Sequence, residues 1–169
     1  PIWADDLSVL NRYEFAKYNN WGEDLITKIS LYTRAVNSLD DSKDVRISER
    51  VRLPRDKLRG FESGKVGPKD GSDYVGGNYA ASLNFTTNLP MIMPSVQSAD
   101  FAFFIDAGNV WGVDYSDTVN ESNEIRSAAG IGVNWFTPIG PMNFTLAQPI
   151  TKASSDKTQT FQFSIGTTF

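Results

Sequence analysis

Apolar and polar residues alternate with a period of two through residues 160–169. Phe161, Phe163, Ile165, Thr167 and Phe169 fall on one side, and Gln162, Ser164, Gly166 and Thr168 on the other. Successive side chains of a strand point to opposite faces, so the pattern predicts a strand with one apolar and one polar face. Earlier segments repeat it. Residues 79–89 set Tyr79, Ala81, Leu83, Phe85 and Leu89 against Ser82, Asn84, Thr86 and Asn88. Residues 101–111 set Phe101, Phe103, Ile105 and Ala107 against Asp106. Residues 125–136 oppose Ala129, Ile131, Val133 and Trp135 to Arg126, Ala128, Gly130, Gly132 and Asn134. Residues 142–150 oppose Met142, Phe144 and Leu146 to Asn143 and Thr145. Upstream, residues 25–35 place Leu25, Ile29 and Leu31 opposite Lys28, Ser30, Tyr32 and Arg34, and residues 11–18 alternate more weakly. The pattern predicts about seven strands and no helix.

A soluble β-sandwich also alternates, so the two faces decide between architectures. In the strands after residue 77 the apolar face carries no charge, while Asp106 and Arg126 lie on the polar face among Asn, Ser, Thr and Gly. The predicted strands run to about 9–11 residues, the length of a tilted membrane-spanning strand, against a soluble mean of about 5–6. Trp21, Trp111 and Trp135 fall near strand ends, where interfacial aromatics sit. Connections alternate longer and shorter, as external loops and periplasmic turns do, although residues 90–99 form a longer turn than the pattern ideally has. The balance favours a membrane barrel and leaves the sandwich open.

The longest connection, residues 45–77, exceeds the roughly 15 residues beyond which a loop is functional or disordered. It carries Ile47, Val51, Leu53, Leu58 and Phe61 among its charges, and glycines punctuate it from Gly60 to Gly77. Such a loop is expected to fold against something.

Composition narrows the chemistry. The 169 residues suffice for one domain, and Pro1 in place of Met reads as an excised piece or a mature product. There is no cysteine and no histidine, which removes disulfides, thiolate metal sites and the commonest general base. With 16 basic and 20 acidic residues the chain has no basic block of the kind that binds nucleic acid. No apolar run approaches the roughly 18 residues of a transmembrane helix. Asp114, Asp117, Glu121 and Glu124, and the run Asp70-Gly71-Ser72-Asp73, lack the spacing of a calcium loop and read as solvated external loops. No nucleophile arrangement is visible, so neither an enzyme, a metal site nor a cofactor is expected.

Several ordered motifs resemble the C-terminal part of the BamA-type outer-membrane assembly barrels. They are Leu58-Arg59-Gly60-Phe61, Gly76-Gly77-Asn78, Asp106-Ala107-Gly108-Asn109-Val110-Trp111 and Ile125-Arg126-Ser127-Ala128-Ala129-Gly130. The turn residues 135–141 and the closing strand 161–169 complete the series, which extends over about two-thirds of the chain. The resemblance implies an all-β, antiparallel up-and-down transmembrane β-barrel, of which residues 1–169 would be the C-terminal portion, about seven strands of a sixteen-strand barrel. In that family the barrel follows periplasmic POTRA domains and inserts other barrel proteins into the bacterial outer membrane. The implied partners are outer-membrane lipid, unfolded outer-membrane protein clients and accessory lipoproteins of the assembly complex.

The resemblance also gives residues roles. The 45–77 loop would fold into the lumen, with Arg59, Gly60 and Phe61 as its anchor and Asp106 as the partner of Arg59. Where the family often has glutamate this chain has Asn84, which leaves one carboxylate rather than a two-carboxylate clamp. Phe161, Phe163, Ile165, Gly166 and Phe169 would form a terminal strand that serves as seam and assembly signal, recognised by edge pairing. Gly130, Gly132 and Gly166 would either permit kinking or relieve crowding. Two other readings are a related two-partner-secretion type polypeptide translocator and a plain outer-membrane structural or pore barrel.

Overall fold

A computed structural model describes residues 7–22, 25–90, 98–119, 121, 123–138 and 140–166. Every consecutive long strand pairs antiparallel with the next, because the connections that do not fold back between them are short enough for hairpins. The strands are β1 (Ser8–Asn20), β2 (Ile26–Ser38), β5 (Tyr79–Asn88), β6 (Ala99–Trp111), β7 (Arg126–Thr137), β8 (Gly140–Thr151) and β9 (Phe161–Ile165). They form one seven-stranded sheet in the order β1-β2-β5-β6-β7-β8-β9, with β1 and β9 as its edges. Two short strands, β3 (Lys69–Asp70) and β4 (Asp73–Tyr74), make a separate hairpin inside the long connection.

The strands match the expected segments with their ends shifted: β2 runs on to Ser38, β6 starts at Ala99, β8 spans Gly140–Thr151, and residues 167–169 of the expected last strand lie outside the described residues. β1 spans Ser8–Asn20 rather than residues 11–18 and pairs with β2 along its whole length, from Ser8 opposite Ser38 to Asn20 opposite Ile26. Asn11 and Lys17 share the outward face with Tyr13 and Phe15, and these polar residues blur the alternation. In β8, Thr151 opposes Ser127 and Pro149 opposes Ala128, so Ile150 is an extra residue in a bulge. A bulge beside Pro149 is where a strand tolerates a residue with no N–H.

Register fixes which side chains look inward. Leu83, Ile105, Ile131, Leu146 and Phe161 stand exposed on the outer face. Tyr79 and Trp111 are cross-strand partners at one end of this face, with ring centroids 6.0 Å apart, and exposed Trp135 marks the other end. On the opposite face Ser30, Ser82, Asn84, Asp106, Arg126, Asn143 and Thr145 are buried. The buried cover is the long connection. It leaves β2 after Ser38, earlier than the expected start at Val45, and turns through a 3-10 segment at Arg55–Lys57. It then lies against the polar face of the sheet.

The hydrophobic core is therefore inside the curve of the sheet. Val45, Val51, Leu53, Leu58, Phe61 and Val66 of the connection pack with Tyr32, Val36, Ala80, Val110 and Ala128 of the wall. Ile47, expected as an apolar anchor, is exposed instead. We expect nitroxide labels at Leu83, Phe103 and Val133 of the full-length protein to be relaxed by a lipid-soluble quencher, and a label at Thr145 to be protected. Protection of all three outer sites in electron paramagnetic resonance would contradict the assignment of faces.

Candidate functional site

Asp106 lies midway along β6, with Asn84 of β5 and Ala128 of β7 directly opposite on either side. Its residue exposure is 0%. A carboxylate removed from water in this way is costly unless it is paired and hydrogen-bonded. The long connection supplies the pair. Arg59 Nε–H donates to Asp106 Oδ2 at 2.7 Å, Nη2–H to Oδ1 at 2.7 Å, and the Arg59 backbone N–H to Oδ2 at 3.0 Å. The parallel side-chain bonds form a bidentate fork, the geometry a lysine lacks. Asn84 Nδ2 adds a bond to Asp106 Oδ1 at 2.9 Å and also donates to the Lys57 carbonyl at 2.9 Å. The amide at position 84 therefore ties the carboxylate to the turn that carries Arg59, a task a carboxylate there could not perform.

Local backbone explains why Arg59 can reach. Gly60 has φ of +89°, a left-handed conformation that favours glycine, and a Cβ there would sit 3.1 Å from the Cβ atoms of Ala128 and Ala147. The wall is small where the loop tip touches it. Beneath the guanidinium lies the buried ring of Phe104, 3.6 Å from the Arg59 Cζ to the ring centroid. Gly130, opposite Phe104, leaves that ring its space: a Cβ on Gly130 would lie 2.6 Å from Phe104 Cζ and 2.2 Å from the Leu146 carbonyl oxygen. Gly132 differs, since a Cβ there would meet nothing closer than 4.0 Å.

Phe61 is buried, and its backbone bridges to Thr158 in the connection before β9. The Phe61 carbonyl accepts a bond from Gln162 Nε2 of β9 at 3.0 Å. Arg59, Gly60, Phe61 and Asp106 thus meet at one point of the wall. The terminal-strand residues lie apart from them. Phe161, Phe163 and Ile165 point outward and are exposed, and Phe163 packs on Phe144 with centroids 5.0 Å apart. Gly166 follows β9 with φ of +80°, and its N–H donates to the Pro141 carbonyl at 2.8 Å. Phe169 lies outside the described residues.

Further charged pins were not foreseen from the sequence. Arg50 pairs with Asp114, donates to the Val45 carbonyl at 2.9 Å, and donates to Asn78 Oδ1 at 3.1 Å. Burial alone would push the Asp114 carboxyl up. The Val45 N–H, the Asn78 amide and the Arg50 guanidinium outweigh that and hold it below its ordinary value. Asp114 is thus exposed in its loop, as the sequence suggests, and yet tied to Arg50, Asn78 and the Val45 backbone. Lys57 pairs with Glu14 of β1, and Arg126 makes a bidentate pair with Asp156 at 2.8 and 3.0 Å. Charge in a run of loop residues carries no period, so only Arg126, on the predicted inward face, left a signal of burial. Among the described residues no acidic group is arranged to hold a metal ion.

Below Arg59 a cavity of about 360 Å³ opens between loop and wall. Lys28, Ser30, Asn84, Thr86, Asn88 and Asn134 give it a polar lining. The inner side is thus a packed apolar half beside a polar, open half, with the Arg59–Asp106 pair at the boundary.

An inward-folded loop, an outer face that carries no charge on the strands after that loop, and aromatic residues at both ends of this face define a segment of a membrane β-barrel with an internally anchored loop. The chain belongs to the Omp85 superfamily, whose domain model matches residues 9–169. Within that class it is similar to outer membrane protein assembly factors named BamA. It is 36% identical over 141 residues to that of Neisseria meningitidis serogroup B, covering 66% of this chain and 17% of the relative. Against that of Neorickettsia risticii it is 31% identical over 145 residues, covering 83% of this chain and 19% of the relative. In structure it matches BamA from Haemophilus ducreyi lacking POTRA domains 1-3, with a TM-score of 0.83 and 25% identity over 94% of this chain and 35% of that one. The chain spans less than a fifth of the length of these two curated relatives. Its described residues form a seven-stranded portion of an outer-membrane β-barrel.

The contrast between the two glycines gives a direct check on the stacked anchor. Gly130→Ala should destabilise the barrel by about 1–3 kcal/mol, because Phe104 and the β8 backbone must both move. Gly132→Ala, facing open space, should change it by less than about 0.5 kcal/mol. Denaturant unfolding of the full-length protein in lipid vesicles measures both.

Proposed function

We propose that this chain is part of the central barrel of the machinery that folds and inserts β-barrel proteins into the bacterial outer membrane. The observation that carries the reading is the lumenal loop held on Asp106 by Arg59, in a chain whose named relatives are outer membrane protein assembly factors. The work assigned to it is templating rather than bond-making. A β-edge offers unpaired N–H and C=O groups, and an incoming strand can satisfy them by adding to the sheet.

In this reading β9 is the relevant edge. Phe161, Phe163 and Ile165 present an apolar row to lipid, and Gly166 ends the strand in a conformation few other residues adopt. Phe169, outside the described residues, is assigned to the same assembly signal. Arg59, Gly60, Phe61 and Asp106 keep the wall next to it in a fixed shape. Unfolded outer-membrane proteins are the clients and accessory lipoproteins the helpers, with no covalent reaction and no cofactor required.

Depletion of the full-length protein, with complementation by wild type or Arg59→Ala, tests this. Loss of many heat-modifiable outer-membrane barrels, restored by wild type and poorly by Arg59→Ala, is the expected result. Retention of one secreted polypeptide in the periplasm with barrel levels unchanged would indicate a translocator instead. Unchanged barrel levels with altered solute permeability would indicate a plain pore.

A further inference from the structure

Arg126 and Asp156 are both fully buried, with side-chain exposures of 0% each, and their pairing is distinct from that of Arg59 with Asp106. Arg126 opens β7, and Asp156 lies in the connection between β8 and β9. The fork between them is bidentate, and Asp156 Oδ2 also accepts the Ala153 N–H at 2.7 Å. Arg126 further donates to the Glu124 carbonyl at 2.8 Å and to Asn109 Oδ1 of β6. One carboxylate therefore pins the 152–160 connection to two strands of the wall.

The residues just after Asp156 carry the effect of this pin to the loop. The Lys157 N–H donates to the Lys65 carbonyl at 3.1 Å, and the Glu62 N–H donates to the Lys157 carbonyl at 2.9 Å. The Gln159 N–H donates to the Gly60 carbonyl at 2.9 Å, and the Ala147 N–H of β8 to the Thr160 carbonyl at 2.8 Å. Then β9 begins, and the side chain of its Gln162 reaches back to the Phe61 carbonyl. The lumenal loop, the 152–160 connection and the start of β9 are thus laced into one ribbon. Phe61 packs on one side of it and the Arg126–Asp156 fork holds the other.

We infer that Arg126 and Asp156 are positioning residues that hold the lumenal loop and the first residues of β9 together, so that release of the fork releases both. The coupling is separate from the Arg59 anchor, which fixes the loop to β6 through Asp106. A fork between two buried ions is suited to a two-state role. It holds firmly while both partners are in place, and the loss of either leaves an uncompensated buried charge. The inference concerns motion inside the barrel and does not depend on what the barrel assembles.

Hydrogen–deuterium exchange of the full-length protein in lipid nanodiscs tests it, with Asp156→Asn and Arg126→Gln compared with wild type. Either variant should speed exchange about tenfold or more at the amides of Glu62, Lys157, Gln159 and the start of β9 together, with the β5–β6 ladder unchanged. A purely local role would raise exchange only at residues 152–156, and that outcome overturns the coupling. Exchange rising across the whole sheet, or failure of the mild Asp156→Asn variant to reach the folded gel mobility, would make the pair a folding requirement and overturns it equally. Arg59→Ala is the companion: it should loosen the loop near Asp106 while Lys157 and Gln159 stay protected.

Discussion

A carboxylate with no access to water sits in the middle of this wall, and the surrounding structure is arranged to satisfy it. Asp106 accepts two bonds from the Arg59 guanidinium, one from the Arg59 backbone and one from Asn84. Removing one partner of a buried pair costs about 3–5 kcal/mol because the remaining charge is stranded. That penalty fixes the loop tip on β6. It also explains the neighbouring choices: glycine at position 60 for the turn, alanines at 128 and 147 where the turn touches, and glycine at 130 so that the Phe104 ring can lie beneath the guanidinium.

From this point the interior divides. On the side of the long connections, apolar loop residues complete an apolar wall, so the barrel segment owns a hydrophobic core although its inward face reads as polar elsewhere. On the other side the wall is Asn, Thr and Ser around open space. The strands after the long connection keep a lipid-compatible outer face, which lets the inner face vary between these two solutions. The charged pins Arg50–Asp114, Lys57–Glu14 and Arg126–Asp156 occur where loops meet walls or one another. Each fixes a segment whose backbone lacks a regular ladder.

Alternation made the strands legible, because a two-residue period with one lipid face is a strong constraint on every position. The same period was enough to place Asp106 and Arg126 on the inward side. The first strand was clipped, since Asn11 and Lys17 interrupt its outward face. Arg59 stood out through resemblance of its surrounding motif rather than through its own chemistry. The pairings of Asp114 and Asp156 were illegible for a physical reason: in irregular segments nothing in the sequence distinguishes an unpaired acid from one folded onto an arginine far along the chain. The hairpin β3–β4 and the burial of Val66 depend on the same long-range folding.

The central claim is that the burial of Asp106 depends on its pairing with Arg59. A double-mutant cycle with Arg59→Met, Asp106→Asn and their combination, read by denaturant unfolding of the full-length protein in lipid vesicles, tests it most directly. The account predicts that each single change costs about 3 kcal/mol or more and that the double costs far less than the sum. Additive losses, within about 0.5 kcal/mol, would contradict it.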